Sequence, residues 1–104
     1  MDIVTILKQT GLPVAYGRFL EAVKPPFLVY MGAGQYDFAA DNTYYHKREQ
    51  YRVEYYFTIK SKEAEAAIEQ ILLDAGYLYE KSEDIYLDDE NVFAIYYYIE
   101  QRRQ

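Results

Sequence analysis

The sequence predicts an α+β domain in which a mainly antiparallel sheet of four to five strands carries two helices on one face. Three observations lead there. Residues 51–60 alternate strictly, with Tyr51, Val53, Tyr55, Phe57 and Ile59 on one side and Arg52, Glu54, Tyr56, Thr58 and Lys60 on the other, the period of a strand buried on one face. Ala64, Ala67, Ile68, Ile71, Leu72 and Ala75 follow the i, i+3, i+4, i+7 stripe of an amphipathic helix. The remaining elements are short runs separated by turn residues, so most strands are joined as hairpins and the two helices lie apart in sequence.

In order along the chain, Ile3, Ile6 and Leu7 recur at helical spacing behind Asp2, an N-cap, and Gly11 supplies a left-handed stop. PVAYGRFLEAVK is punctuated by Pro13, Gly17 and Pro25-Pro26, which suits an edge strand and a loop. Residues 27–31, FLVYM, form an apolar run suited to a sheet interior, and residues 32–42 have glycines, acids and no period, as an extended loop does. The long alternating strand follows, and its even-numbered side is expected to be wet. Ser61 caps the second helix and Gly76 ends it. Because Ile68, Ile71 and Leu72 each contribute about 1.5–3 kcal/mol on burial, this helix should roof the sheet, and Ile71→Asp should abolish folding. A hairpin closes the chain: 77–87, a turn at DDEN (88–91), and 92–100, with Tyr96 and Tyr98 on the less buried side.

Composition narrows the function. The 104 residues suit one domain, 1–104, and with 51% hydrophobic and 27% charged residues the chain is globular rather than disordered. The net charge of −6 opposes non-specific binding to nucleic-acid phosphates, which draws on clustered Lys and Arg. Absence of cysteine removes disulfides and thiolate chemistry. The N-terminus MDIVTILKQTG lacks a basic leader and is only briefly apolar, so neither secretion nor a membrane span is expected.

No catalytic constellation emerges, and the chain is not expected to be an enzyme or to hold a cofactor or metal. The serines are Ser61, assigned as a cap, and Ser82, which has no motif linking it to the single histidine, His46. Lys47 and Arg48 beside His46 favour its neutral form. Asp37 with Asp41, and Asp88, Asp89 and Glu90, lack a recognised cation-ligand spacing. Gly32-Ala-Gly34 is not a dinucleotide loop, because Asp37 stands where the third glycine is needed. A tyrosine-rich sheet with Arg48, Arg52 and Lys60 beside Tyr56 has the ingredients of a platform for single-stranded bases, but without the aromatic-glycine signature of such folds.

Taken together, TGLPVAYGRF, PPFLVYMGAG, FAADNTYYHKREQYRVEYYFTIK (38–60) and the YEKSEDIYLDDENVFAIYYYIE hairpin resemble the tail-completion, or tail-terminator, proteins of long-tailed bacteriophages and Gram-positive prophages. These are head-to-tail joining proteins. The similarity spans nearly the whole chain, and Ala40-Asp41-Asn42 with Tyr45, Lys47 and Tyr51 is its most specific part. It implies a structural protein of virion assembly, present in the host cytoplasm during assembly and then in the virion tail. The expected form is a homohexameric ring at the head-proximal end of the tail tube, in contact with the tube protein and the head connector proteins. DNA would pass through without specific binding, as the acidic balance suits. A head-tail adaptor or stopper subunit, or a small single-stranded nucleic-acid-binding module, is the alternative. On the ring reading the docking surface comprises Tyr36, Asp37, Phe38, Asp41 and Asn42 of the loop, and Tyr44, His46, Arg48, Arg52 and Tyr56 of the strand.

Overall fold

The computed structural model describes residues 2–33 and 50–101. The elements are α1 (Ile3–Lys8), β1 (Val14–Tyr16), β2 (Phe27–Gly32), β3 (Gln50–Phe57), α2 (Lys62–Asp74), β4 (Tyr77–Lys81), β5 (Ile85–Leu87) and β6 (Val92–Gln101). The fold is α+β, as expected, but its sheet has six strands and is mixed: the order is β1-β2-β3-β6-β4, with β5 also on β6. β1 runs parallel to β2, and every other pair is antiparallel.

Both departures have local causes. A strand of three residues is too short to reveal its pairing through a period, and the segment after β1 returns the chain to lie beside it in the same direction. The expected strand at 77–87 is split by a bulge. The Ser82 N–H donates to the Tyr96 carbonyl at 2.9 Å, and Ile85 pairs with Ala94, so Glu83 and Asp84 together face the single position of Ile95. The Ser82 hydroxyl accepts from the Tyr96 N–H at 2.9 Å, satisfying a backbone donor that the bulge would strand. Ser82 is therefore a bulge residue whose hydroxyl is engaged by the backbone on both sides, accepting from Tyr96 and donating to the Glu83 carbonyl at 2.8 Å. At the β5–β6 turn Asn91 adopts φ 57°, which asparagine tolerates, and its side chain accepts from the Tyr86 hydroxyl at 2.6 Å.

The helices begin where their caps predict. Asp2 accepts from the Thr5 N–H at 3.2 Å and Ser61 from the Ala64 N–H at 3.1 Å; Gly76 takes φ +91° just past α2. Both helices lie on one sheet face. There Ile3, Ile6 and Leu7 of α1 and Ile68 and Leu72 of α2 share one core with Leu28, Val53, Tyr55, Phe57, Tyr77, Ile95, Tyr97 and Ile99. The odd-numbered residues of β3 face this core as the alternation requires, but Ile59 lies beyond the strand and is 81% exposed. In α2 the buried line differs from the apolar stripe: Ala67 and Ala75 are exposed, Ile71 is half-buried, and Glu65 is buried.

Candidate interaction surface

The sheet face away from the helices is where the expected docking residues Arg52 and Tyr56 lie. Tyr36, Asp37, Phe38, Asp41, Asn42, Tyr44, His46 and Arg48 fall outside the described residues. Successive strand side chains alternate, so Arg52, Glu54 and Tyr56 stand in a row on β3. Cross-strand neighbours Met31, Val29 and Phe27 flank them on β2, and Tyr98, Tyr96 and Ala94 on β6.

This side is drier than alternation alone implies. Glu54 is 6% exposed, and Arg52 and Tyr56 are half-buried. The Glu54 carboxylate organises the row: Arg52 Nε donates to Oε2 at 2.7 Å, and the Tyr56 hydroxyl donates to Oε1 at 2.7 Å. The Arg52 guanidinium also lies 5.6 Å from the Tyr96 ring centroid and against Met31 Sδ. Tyr56 stacks on Phe27 at 5.1 Å, and Phe19 meets Phe27 edge-on at 5.2 Å. Burial, and then the hydrogen bond to Glu54, push the Tyr56 phenol well above its ordinary value, so it remains a neutral donor.

The chemistry of this arrangement is saturation. Arg52 is neutralised by Glu54, and one face of the Tyr56 ring is occupied by Phe27, so the pair does not offer a bare cation for phosphate. Sequence reading missed Glu54, although Arg52-Val-Glu54-Tyr-Tyr56 carried the signal: residues at i, i+2 and i+4 of a strand share a face. Glu54→Ala should lower stability by about 1–2 kcal/mol, because the Arg52 and Tyr56 donors lose their acceptor; urea unfolding checks this.

A second polar cluster ties α2 to the sheet on the opposite face. Glu65, 3% exposed, meets Lys81 at 2.9 Å through Oε1 and Lys60 at 2.7 Å through Oε2. One turn along, Glu69 receives Lys81 at 2.7 Å and the Tyr97 hydroxyl at 2.7 Å, with the Tyr79 hydroxyl at 3.2 Å. Lys60 also bridges to Asp84 of the bulge at 3.0 Å. Each carboxylate thus has cationic or hydroxyl partners, which assigns the cluster a fastening role.

Among the described residues, no group of three or more acidic or imidazole side chains could hold a metal ion, and no helix is long and apolar enough to cross a membrane. The sequence matches no protein-family model, and no curated protein is significantly similar to it.

Proposed function

We propose that the chain is a structural subunit of a phage virion, a tail terminator or tail-completion protein that forms a ring at the head-proximal end of the tail tube and joins it to the capsid connector. The observation that carries this reading is where polar and apolar groups lie. The buried carboxylates are held by structural partners, whereas large apolar side chains stand at the sheet's periphery: Tyr16 is 62% exposed, Leu20 90%, Tyr86 50% and Leu78 49%. Aromatic and aliphatic anchors beside charged rims suit association between proteins. An acidic surface suits a conduit along which DNA slides without sticking. The resemblance of TGLPVAYGRF, PPFLVYMGAG and the 38–60 segment to tail-completion proteins supplies the specific assignment.

Light scattering coupled to chromatography is expected to find concentration-dependent rings, and the purified protein is expected to stop tail-tube extension in vitro. A strictly monomeric protein without effect on extension would sink the proposal. Binding to the connector but not to tube ends would move the subunit to the adaptor or stopper role.

A further inference from the structure

The two lateral edges of the sheet differ in charge. We infer that they are complementary halves of one head-to-tail contact between copies of this chain, the β1 edge of one subunit meeting the β4–β5 edge of the next. The inference rests on the ring reading above and names the surfaces through which neighbours meet.

Charge is the first observation. Residues 2–33, which build the β1 side, carry Lys8, Arg18 and Lys24 against Asp2 and Glu21. Residues 61–101, which build the other side, carry eleven carboxylates against Lys62 and Lys81, and Lys81 is engaged by Glu65 and Glu69. Arg18 and Lys24 are exposed and meet no carboxylate among the described residues. Glu80, Glu83, Asp88, Asp89 and Glu90 are exposed along the far edge.

Apolar exposure repeats the pattern, with Tyr16 and Leu20 beside β1, and Leu78 and Tyr86 on β4 and β5. Among the described residues, no strand covers the outer side of β1 or of β4 and β5.

The register aligns the two edges. Tyr16 stands level with Tyr30, Val53, Tyr97 and Lys81, and Ala15 with Val29, Glu54 and Tyr96, which the Ser82 N–H bonds. Val14 stands level with Leu28, Tyr55 and Ile95, the position faced by Glu83 and Asp84. β1 is therefore at the height of the acidic bulge. Arg18 follows β1 past a tight turn, in which Gly17 has φ 75° and the Arg18 N–H donates to the Tyr16 carbonyl at 2.8 Å, and Lys24 precedes β2 at the sheet end that holds the Asp88–Asn91 turn. A sideways displacement of one copy then brings the cation-bearing edge against the carboxylate-bearing edge of the next.

A two-fold contact would instead set one edge against its own copy, carboxylates against carboxylates or Arg18 and Lys24 against themselves, and like-charge juxtaposition opposes both. The bulge and the short, proline-led β1 also discourage a continuous backbone ladder, so side chains carry the contact. Such a heterologous contact closes into a ring when its rotation divides a full turn.

Two double variants test this by sedimentation velocity: Arg18→Glu with Lys24→Glu, and Asp88→Lys with Asp89→Lys. All four positions are exposed, so melting curves should match wild type. Each variant alone should self-associate at least about tenfold more weakly than wild type. The equimolar mixture should recover wild-type assembly, because each reversed edge then faces a reversed partner. Variants that assemble like wild type, or a mixture that stays apart, would overturn the edge assignment while leaving ring formation intact. A wild-type protein that remains monomeric and does not stop tube extension would remove both readings.

Discussion

Leu72→Ala is expected to lower the unfolding free energy by about 2–5 kcal/mol, the range for truncating a fully buried leucine. Leu73→Ala, one residue on, should change it by no more than about 0.5 kcal/mol. The contrast follows from helix geometry. Adjacent residues differ in direction by about 100°, so Leu72 points into the core at 0% exposure while Leu73 is 37% exposed. Leu72 and Ile68, at 1%, share the core with Leu7 of α1 and with Tyr97 and Ile99 of β6. Truncation therefore leaves a cavity bounded by both helices and the sheet. At about 4–8 °C per kcal/mol for a domain of this size, the melting temperature should fall by at least about 8 °C. Calorimetry that finds equal losses for the two variants would refute the orientation of α2. Ile71, expected from its spacing to be a deep core position, is half-buried, so Leu72 is the sharper probe.

The fold was legible wherever a period ran long enough to fix a face. Tyr51 to Phe57 and Phe93 to Ile99 alternate over enough residues that a slip of one would invert every side chain, and the pairing of β3 with β6 keeps that alternation. Asp2, Ser61 and Gly76 were readable because capping is local chemistry. The failures lie where the deciding partner is distant. Glu65 interrupts the α2 stripe in sequence, yet it is buried in the first turn, where Lys60 before the helix and Lys81 at the end of β4 converge on it. The bulge at Glu83 and Asp84 depends on the register against β6, which residues 77–87 alone do not contain. Ile59 prolonged the alternation past the strand's end because an exposed isoleucine cannot be told from a buried one by pattern. Of the expected docking residues, Arg52 and Tyr56 came together on one face as read, but around a carboxylate that reading had left in solvent.

The second large effect is acid lability seated in the Glu65–Glu69 cluster. Burial opposes ionisation of both carboxyls, but the contacts of Lys60 and Lys81 with Glu65, and of Lys81 and Tyr97 with Glu69, outweigh it and hold both below the ordinary 4.5. Burial, then the hydrogen bond to Glu69, raise the Tyr97 phenol far above its usual range, so Tyr97 stays a neutral donor throughout. As pH falls, the unfolded chain takes up protons first. The stabilisation is therefore whole above the ordinary carboxyl value and disappears as pH drops through the lower folded values. Replacing both carboxylates, as Glu65→Gln with Glu69→Gln, should cost about 2–4 kcal/mol at neutral pH. That is less than two fully buried charged sites would give, since both lysine side chains are over a third exposed to solvent. The variant should also lose much of the acid limb, so urea midpoints taken between about pH 7 and pH 3 should converge with those of wild type at the acidic end. Midpoints that stay parallel over that range would place the acid sensitivity on other carboxylates. Convergence would identify these two glutamates, one turn apart on α2, as the charges that fasten the helix to the sheet.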